Sequence, residues 1–228
     1  MLKNNNFNKN KTYLQTERTG RFFTLGQLNE KTEFIWFVLH GYGQLANYFI
    51  EKFAVISDVK NFIVAPEALN RFYLKGFSGR IGATWMTKEE REHEIHDYVK
   101  FLNSVYEQIR DNIDLQKIKI NLLGFSQGAH TAVRWLLKGN IQPENLILWS
   151  GSFPADNEIA ENIDLLNATK IFMVIGNKDE FIDEKSINVE EKRLLSLGLK
   201  YGLIPFDGGH EIEKETLLNL SRKLEGGE

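Results

Sequence analysis

The sequence predicts an α/β fold in which helices cover both faces of a mostly parallel central sheet. Short runs of apolar, often β-branched residues alternate with longer segments whose apolar residues recur at helical spacing. Runs of the first kind are typical of strands buried on both faces, and their alternation with helices is typical of a parallel sheet. The 228 residues fit one domain of this class. We therefore expect a single domain over residues 1–228, with a loose Asn- and Lys-rich tail up to about residue 11.

The composition excludes several kinds of function. The chain has no cysteine, which rules out thiol catalysis and cysteine-based zinc sites. A net charge of −3 gives no electrostatic footprint for nucleic acid. No apolar run approaches the roughly 18 residues of a membrane span, and the N-terminus lacks the apolar core of a signal peptide. We expect a cytoplasmic protein with no membrane span and no nucleic-acid partner.

Two neighbouring histidines raise the question of a metal site. His93 and His96 lie about one turn apart on a predicted helix, but the zincin pattern separates its histidines by one residue more. A charged, solvated helix turn explains them better, so no metal and no cofactor are expected.

The first part of the chain predicts a sheet edge followed by buried strands. The elements are a hairpin of Tyr13–Thr19 and Arg21–Leu25, a buried strand at Glu33–Leu39, a short helix over Asn47–Val55 and a second buried strand at Phe62–Ala65. Pro66 ends the second strand because it lacks a backbone N–H.

Residues 66–86 show no sustained periodicity and are rich in glycine and aromatic residues. Loops of this length inside a compact domain are usually functional or disordered, and the aromatic content argues against disorder. We expect a pocket-lining loop whose Phe72, Tyr73, Phe77 and Trp85 contact the substrate.

The second part of the chain continues the alternation. Thr87-Lys88-Glu89-Glu90 has the pattern of a capping box and predicts a helix from there to about Asn112. The later elements are strands at Ile118–Leu122, Asn145–Trp149, Lys170–Ile175 and Lys200–Pro205, a helix after Ser126, a helix over Glu184–Ser196 that Gly198 ends, and a final helix over Ile212–Leu224.

A Gly-x-Ser-x-Gly motif stands between one of these strands and its helix. Gly124 and Gly128 remove the β-carbons that would collide at a tight strand-to-helix turn, and Ser126 is exposed at its tip. The N-terminus of the following helix favours negative charge that develops beside the serine. The motif in this setting predicts a nucleophilic serine.

An acid and a histidine follow later strands, so the chain order is Ser126, Asp179, His210, which is the order in α/β-hydrolases. Binding sites in open parallel sheets gather at the carboxyl ends of the strands, where all three residues are expected. His210 would accept the serine proton during attack and Asp179 would orient the imidazole. These residue types in this order predict a catalytic triad.

Other residues compete for the role of the acid. Glu180 and Asp183 are close to Asp179, which we prefer because it directly follows the strand-ending Gly176 turn. Asp207 lies three residues before His210 and is better suited to shaping that loop.

Further serines and a histidine are close to the predicted site. Ser150 and Ser152 follow a strand but lack a glycine-framed turn into a helix, so a wall position in the cleft suits them. His130 lies one turn into the helix after Ser126 and either packs that helix, which we prefer, or lines the floor of the pocket.

A glycine-rich loop, His40-Gly41-Tyr42-Gly43, follows the first buried strand. In hydrolases of this architecture such a loop supplies one backbone donor of the oxyanion hole, and the residue after the nucleophile supplies the other. We expect the N–H groups of Tyr42 and Gln127 in these roles. His40 precedes the nucleophile in the chain and is interpreted as a residue that shapes the loop.

These motifs resemble the phospholipase/carboxylesterase family of α/β-hydrolases, which includes the acyl-protein thioesterases. The resemblance lies in Leu39-His40-Gly41-Tyr42-Gly43, Gly124-Phe125-Ser126-Gln127-Gly128-Ala129, Gly176-Asn177-Lys178-Asp179 and Gly209-His210. It implies a small, usually cytosolic esterase with the triad named above, the oxyanion donors Tyr42 and Gln127, and no metal or cofactor. Gln44 and Ala129 differ from the thioesterase pattern, and these differences disfavour thioester and lipidated-protein substrates.

The sequence therefore predicts a serine carboxylesterase that cleaves a small-molecule ester through an acyl-enzyme. A thioesterase or lysophospholipase is the alternative within hydrolases. A non-catalytic binding protein with the α/β-hydrolase fold is the alternative outside them, because a fold does not fix a function. The oligomeric state stays open, a homodimer included.

Overall fold

The computed structural model describes residues 10–111, 113 and 118–226. Nine strands lie within these ranges: β1 (Phe22–Leu25), β2 (Phe34–Leu39), β3 (Asn61–Pro66), β4 (Asn70–Tyr73), β5 (Ile81–Thr84), β6 (Lys119–Phe125), β7 (Asn145–Trp149), β8 (Lys170–Gly176) and β9 (Gly202–Phe206). The α-helices in the same ranges are α1 (Ala46–Phe49), α2 (Arg91–Arg110), α3 (Gln127–Lys138), α4 (Asp156–Ala160), α5 (Ile163–Ala168), α6 (Glu184–Ser196) and α7 (Lys214–Leu224). A 3₁₀ helix, Ile50–Ile56, continues α1.

Seven strands form the central sheet in the order β1-β3-β2-β6-β7-β8-β9. All neighbouring pairs are parallel except β1 with β3, which is antiparallel and places β1 at one edge. The chain moves from β2 outward to β3 and later returns to the other side of β2 with β6. The carboxyl ends of β2 and β6 therefore flank a topological switch point, where open parallel sheets bind their ligands.

Strand β2 shows how the sheet divides the core. Its alternate residues Phe34, Trp36 and Val38 pack on the face covered by the 3₁₀ helix and α7, whereas Ile35, Phe37 and Leu39 pack on the face covered by α2 and α3. All six side chains are buried. Both faces of the sheet are covered, which confirms the predicted fold class and explains why the strand is apolar without alternation.

Several element boundaries differ from the sequence predictions. Residues 13–19 form no strand, so β1 is paired with β3 alone and there is no edge hairpin. The predicted capping box is wrong: α2 begins at Arg91, and Glu90 is its N-cap with a φ of 52° and no side-chain cap. Thr87 instead donates its hydroxyl to Glu94 at 3.1 Å. The loose tail falls largely on residues 1–9, and the predicted helix end falls on Asn112; both lie outside the described residues.

Residues 66–86 are not an irregular loop. They contain the antiparallel hairpin of β4 and β5, in which Arg71 is opposite Ala83. The hairpin is bound to the loop after β2, because Gly43 N donates to Ala83 O at 2.9 Å and Ala83 N donates to Gln44 O at 3.1 Å. The helices α4 and α5, which lie between β7 and β8, were not predicted from the sequence.

No helix in the described ranges is both long and apolar enough to cross a membrane.

The turn from β6 to α3 leaves no room for side chains at its glycines. A β-carbon on Gly128 would overlap the carbonyl oxygen of Leu39, and one on Gly124 would overlap the carbonyl oxygen of Gly128. Both obstacles are backbone atoms, which cannot rotate away.

We expect Gly128→Ala to lower the free energy of unfolding by about 1–3 kcal/mol, because the methyl group must displace the end of β2. Urea unfolding measures this loss. Gly202→Ala is the matched control, since its β-carbon would meet its nearest neighbour, on Phe172, at an ordinary 3.4 Å. Equal stabilities of the two variants would contradict the close packing of this turn.

Candidate active site

Ser126 occupies the turn between β6 and α3 in a conformation that side chains resist. Its φ of 54° and ψ of −116° lie outside the regions that non-glycine residues favour. The backbone N–H of Ser126 donates to Trp149 O at 2.9 Å, which fixes the turn to the neighbouring strand β7. Strain of this kind at a serine between a buried strand and a helix is typical of a nucleophile presented to a cleft.

The structure brings Asp179 and His210 into direct contact. Nδ1 of His210 lies 3.0 Å from Oδ1 and 2.9 Å from Oδ2 of Asp179. The Asp179 side chain is fully buried, while the His210 side chain is 15% exposed. Phe181 N also donates to Oδ1, at 2.9 Å. The carboxylate therefore faces the imidazole from a fixed position and can hold its proton on Nδ1, which leaves Nε2 free to accept one.

Backbone hydrogen bonds join the two loops that carry this pair. Asn177 N donates to Phe206 O and Lys178 N donates to Gly208 O, each at 2.9 Å. An exposed ion pair between Lys178 and Asp207, 2.7 Å apart, connects the same loops. Asp207 thus pairs with a lysine, in agreement with its expected role in shaping the loop.

The Asp183 carboxylate has other hydrogen-bond partners than the Asp179 carboxylate. Its side chain caps α6 by accepting a hydrogen bond from Ser186 N at 2.8 Å. That bond and the one from the Ser186 hydroxyl hold the pKa of the Asp183 carboxyl below its usual value. Of the acids considered from the sequence, Asp179 is the one with a hydrogen bond to His210 among the described residues.

Two aromatic rings contact the imidazole of His210. The Phe125 ring lies 4.9 Å from the His210 ring between centroids, and the Phe181 ring lies 4.7 Å away on another side. Phe125 directly precedes Ser126, so its contact with His210 brings the imidazole next to the turn. Ser126 and His210 line the same cavity.

The loop after β2 approaches the same turn. A β-carbon on Gly41 would lie 3.0 Å from the Phe125 ring and 3.2 Å from Cβ of Ser126, so this position packs tightly against the turn. Gly41 N donates to Oε1 of Gln44 at 2.9 Å. Within the described part of the chain, the N–H groups of Tyr42 and Gln127 donate to no protein acceptor. One free donor therefore lies on the residue after Ser126 and the other on the residue after Gly41, which packs on Ser126.

His40 is completely buried at the base of this loop. Its Nδ1 donates to Gly41 O at 2.8 Å and its Nε2 accepts from Ala68 N at 3.0 Å. Both ring nitrogens are used in holding the loop, so His40 is not available as a base. Burial lowers the pKa of His40 to about 4.

The cavity at this edge of the sheet has a volume of about 960 Å³. Much of its apolar wall comes from β8, the loop between β8 and α6, α6 itself, and β9 with the residue before it: Met173, Ile175, Phe181, Ile182, Ile187, Tyr201 and Leu203. Thr87, Lys88 and Arg91 line another side.

The four aromatic residues predicted to contact the substrate do not line this cavity. Trp85 is buried and donates its indole N–H to His40 O at 2.8 Å. Phe72 stacks on Tyr42 with ring centroids 5.2 Å apart. Tyr73 and Phe77 lie toward the tip of the β4–β5 hairpin, where Phe77 is 98% exposed. The prediction needs this correction because the hairpin directs these rings to the core, to the loop after β2 or to solvent.

His130 lies on the cavity wall, where its Nε2 is 3.2 Å from the Ser152 hydroxyl. The preferred prediction, a helix-packing role, missed this position. Burial, with a smaller effect of the Arg134 charge, lowers the pKa of His130 to about 4. Ser150 and Ser152 both line the cavity, as expected.

Comparison with known proteins places the chain in a family. A family model described as phospholipase/carboxylesterase matches residues 27–225. The chain belongs to the phospholipase/carboxylesterase family. It is therefore a carboxylic ester hydrolase by family membership. No match is found among curated proteins.

Solved structures show the same fold. Esterase PE8 has a TM-score of 0.64 at 21% identity, over 92% of this chain and 99% of that one. Acyl-protein thioesterase 2 of Zea mays has a TM-score of 0.70 at 16% identity, over 91% and 99%. The Bacillus cereus carboxylesterase has a TM-score of 0.64 at 13% identity, over 91% and 94%. The likeness extends over nearly the whole of each chain and establishes the shared α/β-hydrolase fold.

One buried and one half-buried histidine, His40 and His130, predict how the stability of this family member depends on pH. In the unfolded chain a histidine has a pKa near 6.5, whereas His40 and His130 have a pKa of about 4 when folded. Between these values the unfolded state binds more protons than the folded state. The stability that these histidines contribute by staying neutral is therefore fully present above pH 6.5 and is lost as the pH falls toward 4.

We expect the free energy of unfolding to fall between pH 6.5 and pH 5, by up to about 1.4 kcal/mol per pH unit for His40 alone. Urea unfolding at several pH values measures the slope, and His130→Gln should make it shallower. Equal stability of the native protein at pH 6.5 and pH 5 would show that these histidines are not held neutral.

Proposed function

We propose that this protein is a serine carboxylesterase in which Ser126 is the nucleophile, His210 the base and Asp179 the residue that orients it. The observation that carries the proposal is the contact of Nδ1 of His210 with both oxygens of a buried carboxylate, in a cavity that the strained Ser126 also lines. A histidine held in this way can accept a proton at Nε2 and keep the resulting charge beside Asp179.

The reaction follows from these positions. His210 accepts the hydroxyl proton of Ser126 as the oxygen attacks the ester carbonyl. The tetrahedral intermediate then collapses, its alcohol leaves with the proton from His210, and the acyl group stays on Ser126. Water, deprotonated by His210, attacks the acyl-enzyme in the same manner and releases the carboxylic acid.

The negative charge of the intermediate would be met by the free N–H groups of Tyr42 and Gln127. Both flank Ser126 and neither uses its proton within the described part of the chain. Donors fixed in advance need no reorganisation when the charge develops, and the loss of one such donor typically costs a factor of about 100–1000 in rate.

The cavity supports a small ester as the substrate. Its apolar wall on β8, α6 and β9 suits a short or medium acyl chain or an apolar alcohol, and about 960 Å³ is within the usual size of a small-molecule site. The same proposal takes the enzyme to act as a single cytoplasmic domain without a metal or cofactor. A thioester or a lysophospholipid remains the alternative substrate.

We expect a fluorophosphonate to label the native protein and to leave Ser126→Ala unlabelled, because only an activated serine displaces the fluoride. Mass spectrometry of the intact protein measures the adduct. Ser152→Ala is the matched control, since it removes another cavity serine, and it should be labelled like the native protein. An unlabelled native protein, or a labelled Ser126→Ala, would overturn the proposal.

A further inference from the structure

The side chain of Gln127 is fully engaged with the protein beside the proposed site. Its Oε1 accepts from Trp85 N at 3.1 Å, and the Thr84 hydroxyl, which also contacts Met86 O, lies 3.1 Å from the same oxygen. Its Nε2 donates to Met86 O at 2.9 Å and to the Thr84 hydroxyl at 3.0 Å. A flipped amide would set Nε2 against an N–H group and Oε1 against a carbonyl oxygen, so these partners allow one orientation. The carboxamide therefore contacts the end of β5 and the two residues that follow it, Trp85 and Met86.

That segment also holds the other half of the proposed oxyanion hole. Ala83, one residue before Thr84, exchanges hydrogen bonds with Gly43 and Gln44 on the loop that carries Tyr42. Trp85 donates its indole N–H to His40 O at the start of the same loop. The residues from Ala83 to Met86 thus contact both the helix that carries Gln127 and the loop that carries Tyr42.

We infer that the carboxamide of Gln127 is a positioning residue for the oxyanion hole. Through Thr84, Trp85 and Met86 it connects α3 to the loop after β2, and so sets the spacing between the N–H groups of Gln127 and Tyr42. This inference rests on the proposed function. It assigns the side chain a role separate from that of the backbone N–H of the same residue, and from that of Ser126.

A role in spacing has a specific kinetic signature. The spacing of the donors affects a charged tetrahedral oxygen more than the neutral carbonyl of the bound ester, because charge-assisted hydrogen bonds are the stronger ones. Loss of the carboxamide should therefore lower kcat with little change in KM.

A pair of ketones distinguishes stabilisation of the charged tetrahedral oxygen from binding of a neutral carbonyl compound. Ser126 adds to the carbonyl carbon of 1,1,1-trifluorooctan-2-one, the hydroxyl proton passes to His210, and the ketone oxygen becomes an oxyanion with no leaving group. Octan-2-one has the same chain and serves as the probe of binding without this addition.

We expect Gln127→Met to weaken inhibition by the trifluoroketone and to lower kcat by about 10- to 100-fold, less than the loss of a whole donor. KM and the inhibition constant of octan-2-one should stay within about twofold of the native values. Thr84→Val removes only the hydroxyl that both carboxamide atoms contact, and should weaken the trifluoroketone by about 2- to 10-fold.

Thr169→Val is the matched control, because it removes a buried hydroxyl that donates to Leu165 O at the end of α5. It should leave inhibition by both ketones unchanged.

Thermal unfolding shows whether each variant folds. If Gln127→Met does not fold, the result for Thr84→Val is used to test the inference. Unchanged trifluoroketone inhibition in a folded variant would overturn the inference. A parallel loss of affinity for both ketones would also overturn it, since the side chain would then act on substrate binding. If the native protein neither hydrolyses esters nor prefers the trifluoroketone, it is the proposed function itself that fails.

Discussion

The close approach of three backbone segments around Ser126 is the constraint on which the rest of the site depends. Gly128 packs directly on the end of β2, Gly124 packs on the start of α3, and Gly41 packs on Ser126 itself. Because Gly124 and Gly128 leave no room for a β-carbon and Gly41 leaves little, the end of β2, the turn and the start of α3 pack closely together at the switch point of the sheet. The free N–H groups of Tyr42 and Gln127 belong to these segments, so the proposed donors and the proposed nucleophile are positioned by the fold itself.

The residues of the proposed site could be suggested from the sequence because they follow strand ends. Ser126 directly follows β6, while Asp179 and His210 lie in the loops that follow β8 and β9, and parallel strands bring their carboxyl ends to one edge. The order of the strands in the sheet then places the acid and the histidine on neighbouring loops, where Nδ1 of His210 meets Asp179. Hydrophobic runs predicted the buried strands for a similar local reason, since a strand covered on both faces must be apolar throughout.

The parts that the sequence did not predict depend on contacts between distant segments. The aromatic residues of 66–86 suggested a pocket, yet Trp85 bonds to His40 O and Phe72 stacks on Tyr42, because the β4–β5 hairpin packs on the loop after β2. The cavity instead takes its apolar wall from β8, α6 and β9. The bonds of the Gln127 carboxamide join residues more than 40 positions apart, and no local pattern marks them. Thr87 and Glu90 matched a capping pattern, but the Thr87 hydroxyl donates to Glu94 instead, on the first turn of α2.

Exchanging the carboxylate of Asp179 for an amide shows whether this residue orients His210, as proposed. Asp179→Asn should keep the fold, as shown by thermal unfolding, while the rate of hydrolysis of p-nitrophenyl butyrate falls by about four orders of magnitude, because the amide favours the wrong tautomer. Asp183→Asn makes the same chemical change at the cap of α6, where asparagine serves equally well, and should retain near-native activity. A folded Asp179→Asn with near-native activity, or a larger loss of activity in Asp183→Asn, would contradict the role proposed for Asp179.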